Sequence, residues 1–257
     1  MSISSTSDTA WYSHTSSVQT MKTWARVVPT QEDLPQEFQD AFPDYCGTFP
    51  YTVLIPVNRY TFLQKRNAQV ICLHGERVTL MEYQRDRIKT VSCRLSDITC
   101  FVRKKVLLNS RLTFYGASEP LTTAFNTTNE ICFEPIVNAV RQAMQKRRGE
   151  DLHSTDHQRE MAKFDYLKNL NFKYMNYGRR CIWAGDTVLN TLYQPEHCIR
   201  AWTFLNKPFM RQYATSHLSI LTEHELILIQ ESKPTRINNS KRLDLKKRIE
   251  FLFLREP

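Results

Sequence analysis

The sequence predicts an α+β fold that is mostly β: a bent antiparallel sheet or partly open barrel capped by one C-terminal helix, followed by a second, partial β unit. Three observations carry this. Between Val70 and Tyr115, short runs of β-branched, aromatic and aliphatic residues are separated by polar turns, the pattern of successive strands. From Thr127 to Met144 the apolar spacing changes to that of a helix. From Ser216 onward the strand-like pattern returns without a second helix after it.

A chain of 257 residues with 41% hydrophobic residues, fourteen of them Phe, is long enough to bury a core and too apolar for a disordered chain. Its apolar runs fall short of the roughly 20 residues a membrane-spanning helix needs. The Ser- and Thr-rich start has neither a basic nor an apolar segment, so a secretory signal is not expected. Seven cysteines without a CxxC pair, most of them inside apolar runs, read as buried reduced thiols and point to a cytoplasmic protein. The net charge of +9 gathers at 103–105, 141–148, 179–180 and 241–248, while residues 1–40 are acidic. Such patches permit contact with a polyanion and are also common as solvated faces.

Taken in order, residues 1–44 read as a flexible N-terminal segment. Within it, Thr30 to Phe42 forms a short acidic helix or turn that Thr30 caps with Asp33 in the reciprocal position. Phe49 to Val57, bracketed by Pro50 and Pro56, reads as an edge strand. Two strands meet at a turn of His74, Gly75 and Glu76, with Val78, Leu80 and Glu82 on one face. The polar stretch from Gln84 to Lys89 is the next hairpin end, and strands over Val91–Leu95 and Leu112–Tyr115 follow. Gly116 and Pro120 mark a turn before Leu121.

The helix over 128–147 puts Phe133, Ile136, Val137, Val140 and Met144 on one stripe. Thr127 or Thr128 caps it, and Pro135 places the α-helical start near Glu134. A linker is expected at 151–160. After it, Phe164, Leu167 and Leu170 suit a short helix and Phe172, Tyr174 and Asn176 a following strand, which leaves the element type of this stretch open between the two; Val188–Tyr193 is strand-like.

The stretch from Ser216 to Glu231 echoes the one from Ala68 to Glu82. With Leu221 on Leu73, Leu218 falls on Val70, Ile220 on Cys72, Leu226 on Val78 and Leu228 on Leu80. The residues Arg77–Leu80, Leu95–Ile98, Leu107–Leu112 and Phe125–Thr127, in that succession, resemble a bacterial pleckstrin-homology-like domain over roughly residues 50–147. The resemblance implies a strongly bent seven-stranded antiparallel sheet closed by one helix. It sets domain limits of 45–150 for this unit and 161–257 for a second, incomplete one. The second unit runs out after Phe251–Leu254 without room for later strands and a helix. It borrows strands from 160–210, or pairs with another chain, or belongs to a longer one.

A search for chemistry returns little. No phosphate-binding glycine loop or nucleophile elbow occurs, and the six glycines are scattered. His153 and His157, with Asp156 and Glu160, have metal-ligand spacing but lack an evident third ligand. Cys72 near His74, and Cys198 beside His197, read as structural rather than as thiol–imidazole pairs, and Asp97 as a backbone-bonding turn residue. No enzyme activity and no cofactor are expected. The resemblance points instead to a binding or scaffold module acting through a protein partner or self-association. The rival is a peripheral membrane module that holds anionic headgroups through Arg85, Arg87, Lys89, Arg103, Lys104 and Lys105, with Asp86 interrupting the set. Nucleic acid is not expected, since the 241–248 cluster has no interleaved aromatic residues.

Overall fold

The computed structural model describes residues 24–42, 47–61, 64–106, 108–117, 119–146, 156–204, 207–232 and 248–255. The strands are β1 (Arg26–Val28), β2 (Tyr51–Ile55), β3 (Asn58–Thr61), β4 (Gln64–Arg66), β5 (Gln69–His74), β6 (Arg77–Gln84), β7 (Arg87–Arg94), β8 (Cys100–Val106), β9 (Asn109–Tyr115) and β10 (Leu121–Asn126). After the closing helix come β11 (Val188–Gln194), β12 (His197–Phe204), β13 (Lys207–Ala214), β14 (His217–Thr222), β15 (Glu225–Ser232) and β16 (Arg248–Arg255). The α-helices are α1 (Gln36–Gln39), α2 (Glu134–Lys146), α3 (His157–Ala162), α4 (Leu167–Leu170) and α5 (Phe172–Cys181). The fold is α+β and mostly β. One antiparallel sheet has the order β1-β2-β5-β6-β7 and the other β10-β9-β8-β16-β15-β14-β11, and β3-β4 and β12-β13 form separate hairpins.

The centre of the first sheet, at β2, β5 and β6, is buried on both faces, which explains why β5 and β6 read as nearly continuous apolar runs. Ile71, Val78 and Leu80 face the central core. Val70, Cys72 and Met81 face a second cluster built with Val28, Leu34 and Phe38 from the N-terminal segment. Residues 24–42, expected within a flexible segment, are therefore built into the fold: β1 pairs with β2 and Phe38 is buried. That pairing also corrects the edge assignment of Phe49–Val57, because β2 lies between β1 and β5. Its two prolines flank the strand, where no ladder donor is lost. Thr30 Oγ1 donates to Asp33 Oδ2 at 2.7 Å, but its side chain makes no backbone cap.

Two-residue turns join β5 to β6 and β6 to β7. Gly75 has a φ of +54°, as the first position of a tight hairpin requires. Arg85 and Asp86 have φ values of 48° and 61°, the pattern of a type I′ turn, and Tyr83 donates to Asp86 at 2.9 Å. The turn is thus tighter than the Gln84–Lys89 loop read from the sequence. Leu95–Asp97 then makes one 3-10 turn that carries the chain to the second sheet, with Leu95 and Ile98 buried. Gly116 lets the backbone pass there, since a Cβ would lie 2.8 Å from the Asp97 carbonyl oxygen.

The helical segment after β10 opens as a 3-10 helix over Thr127–Phe133 and becomes α2 at Glu134, so Pro135 sits in the first α turn. Asn126, rather than Thr127 or Thr128, supplies the cap, accepting from Thr128 N at 3.0 Å. The stripe Phe133, Ile136, Val137, Val140 and Met144 is buried as expected.

In the second half, Asp156 caps α3 and the expected linker is helical from His157. Phe172–Cys181 is a helix and not a strand: Asn171 caps it at Tyr174 N, and Tyr174, Met175, Gly178 and Cys181 form its buried stripe. Leu170 is exposed instead of packed. Tyr174 donates to the Ser216 carbonyl at 2.6 Å and accepts from Glu231 N at 3.1 Å, pinning α5 onto β14 and β15. A Cβ on Gly178 would stand 2.7 Å from the Phe164 ring, so that residue type sets how closely α5 approaches.

The second unit completes itself in two ways. It takes β11 from the 160–210 region, and β16 pairs with β8 of the first unit, Leu254 opposite Cys100 and Ile249 opposite Lys105. The Phe251–Leu254 strand is therefore an interior strand of one seven-stranded sheet, where Phe101 and Phe253 stack at 4.3 Å.

Candidate functional site

The six basic residues singled out from the sequence do not converge. Arg85, Arg87 and Lys89 sit at the β6–β7 turn, around an open depression shared with Asn67, Gln84 and Ile88. Lys89 pairs there with Glu119. Arg103 and Lys105 lie in the other sheet beneath the closing helix. Arg103 reaches Glu130 at 3.3 Å and Glu134 at 3.0 Å, and Lys105 reaches Glu130 at 2.7 Å. Lys104 alternates to the opposite face of β8, across the ladder from Arg111.

The histidine and cysteine candidates divide in the same way. His153 lies outside the described residues, as do the side chains of His197's neighbour Cys198 and of the 241–248 cluster. Asp156 is used as a helix cap. Glu160 is buried and accepts from Val188 N at 2.6 Å and Lys163 Nζ at 2.7 Å. Among the described residues, no three His, Cys, Asp or Glu side chains are grouped to hold a metal ion. Burial pushes the Cys72 thiol up to about 11 and Cys181 up to about 12, which holds both protonated and poorly nucleophilic.

Between α2, α5 and the sheet lies a cavity of about 140 Å³ that the sequence reading missed. At its base Arg141 is 5% exposed, paired with Glu225 and lying 3.5 Å from Asp186. Its guanidinium stands 4.4 Å from the Trp183 ring and 5.2 Å from Phe253. Burial raises the Glu225 carboxyl above its ordinary range, and Arg141 pulls it partly back. Of the basic residues lining it, Arg103 and Lys105 are paired with Glu130 and Glu134, and Arg141 with Glu225 and Asp186. It joins the closing helix of the first unit to the second unit.

The surface with the most distinctive chemistry is the far side of the seven-stranded sheet. Helix α5 covers the side carrying Leu218, Ile220, Ile227, Ile229 and Phe253. Strand alternation turns the intervening residues outward. The ladder lines up Leu192, Ser219, Leu228, Leu252 and Val102 across five strands. A neighbouring row holds Leu221, Leu226, Cys100 and Tyr115. None of these side chains belongs to either buried cluster, and Leu192 is 63% exposed. A third row, with His217, Gln230, Lys104 and Arg111, is polar and borders the apolar rows on one side. A strand covered on one face should alternate apolar with polar residues, whereas Leu226-Ile-Leu-Ile229 is apolar throughout. That run was the signal available in the sequence.

No protein-family model, curated protein or solved structure matches the chain. No helix among the described residues is long and apolar enough to cross a membrane.

Proposed function

We propose that the chain is a non-catalytic, pleckstrin-homology-like contact module that binds protein through the outer face of its seven-stranded sheet. The observation carrying this reading is the pair of uncharged apolar rows left outside both buried clusters. Contiguous apolar surface of this kind marks interaction sites on folded proteins. The succession β2, β5, β6, β7, then β8, β9, β10, then a closing helix supports the family reading. The buried, protonated thiols favour a structural use of the cysteines over a nucleophilic one.

A second reading rests on the β6–β7 turn, where Arg85 and Arg87 stand beside an open depression at the edge of the first sheet. Two exposed guanidinium groups suit an anionic headgroup, at about 1 kcal/mol per basic residue near an anionic membrane.

A photo-crosslinking amino acid placed at Leu192 or at Arg85 of the full chain separates the two. Protein adducts from position 192 and none from position 85 are expected. Lipid adducts from position 85, with no protein adduct from position 192, would overturn the contact reading in favour of the membrane one.

A further inference from the structure

The uncovered face has a counterpart inside the same chain. Laying β14–β15 over β5–β6 puts Leu221, Leu226 and Leu228 on Leu73, Val78 and Leu80. In the first unit that face packs into the central core together with β8–β10 and the closing helix. In the second unit the corresponding Leu221, Leu226 and Leu228 are half-buried and belong to neither buried cluster. An apolar sheet face of this kind is closed by another apolar sheet face packed at about 10 Å.

We infer that the occupant is a second copy of this chain, docked sheet face to sheet face in a two-fold dimer. The inference rests on the contact-surface reading above. The face is complementary to itself, because its two central rows are uncharged and bear leucines on four adjacent strands. A two-fold axis running across the strands, between the two layers, carries each polar row to the opposite margin. Lys104 and Arg111 of one copy then do not oppose those of the other, and both sets lie at a wet rim. Six strands about 4.8 Å wide and three same-face rows about 7 Å apart give a footprint of roughly 29 by 20 Å, about 1,200 Å² for a pair, the lower end of specific interfaces. Such an area implies a reversible dimer rather than an obligate one.

Sedimentation velocity of the full chain tests this across about 1 to 100 µM, a span that brackets a micromolar Kd. The expected result is a concentration-dependent monomer–dimer equilibrium. Leu228→Glu weakens it tenfold or more. Leu192→Lys does the same from a position already open to solvent, where folding is not at risk, and circular dichroism confirms both folds. A dimer unmoved by either substitution overturns the inference, as does a monomer at every concentration. In a monomer, alkylation of a Leu192→Cys variant decides what else falls. A reactive thiol leaves the contact reading standing with a different occupant. A protected thiol shows that the chain covers its own face, and both readings are lost.

Discussion

The hairpins β5–β6 and β14–β15 are built alike and used differently. Each has a first strand of six residues, a two-residue turn and a second strand of eight, and each is followed by a further strand of eight. Their neighbours also correspond: β2 and β7 flank the first hairpin as β11 and β16 flank the second, and a small hairpin interrupts each order at the same place. The first is packed on both faces and the second on one. Strand length, register and turn size are thus local properties, while burial depends on what the rest of the chain lays over the hairpin. The first unit has β8–β10 and α2 on its inner face and the N-terminal segment on its outer face. In the second, among the described residues, α5 packs on the inner face through Tyr174. On its other face, Leu221, Leu226, Leu228 and Leu252 belong to neither buried cluster.

Removing the tie between the two units is the strongest way to break this comparison. Arg141→Ala leaves Glu225 and Asp186 buried without their counter-charge. A loss of about 3–5 kcal/mol is expected in urea denaturation. A loss below about 1 kcal/mol would mean that the two units do not depend on each other through this pair.

Equivalent truncations in the two hairpins sharpen it. Leu80→Ala opens a cavity in the core and is expected to cost about 2–5 kcal/mol. Leu228→Ala, at the corresponding outward position, is expected to cost less than about 1 kcal/mol in the monomer. Equal costs would show that the outward face of the second hairpin is packed like the inner face of the first.

An effect confined to alkaline pH compares the buried thiols, Cys72 in the first unit and Cys181 in the second. Both fold with a value above the ordinary 9.0, near 11 and 12 because of burial. The folded chain therefore keeps protons that the unfolded chain releases above pH 9. Their contribution to stability is complete below that pH and is lost as the pH rises toward 11 and 12. Each thiol adds at most about 1.4 kcal/mol of loss per pH unit. Cys181→Ala should flatten the alkaline decline in unfolding free energy relative to the parent. An unchanged slope would mean that Cys181 is open to solvent.

Much of this molecule was legible in its residues. The helix after β10 was visible because five apolar residues at helical spacing leave one arrangement that buries them together, and Pro135 marked its start. The hairpins were visible because turn residues and strand periods are properties of a few neighbours. The helix at Phe172–Cys181 is ambiguous in the sequence because its first aromatics also alternate as a strand would; Asn171 at its head and the spacing on to Gly178 and Cys181 decide for the helix. The six basic residues carried no sign of how they would be divided, since pairing with Glu119, Glu130 or Glu134 depends on segments distant in sequence meeting in space.

By itself, then, the sequence determined the strand-rich composition, the closing helix and the echo between two hairpins, because each follows from propensity and period within a short window. Only the tertiary structure decided that β16 would pair with β8, that Arg141 would be buried between two units, and that the outward leucines of β14 and β15 would belong to neither buried cluster among the described residues. Those outcomes turn on backbone edges and burial supplied by segments as much as 154 residues apart, Leu254 opposite Cys100, and no local pattern carries information about which distant edge will be available.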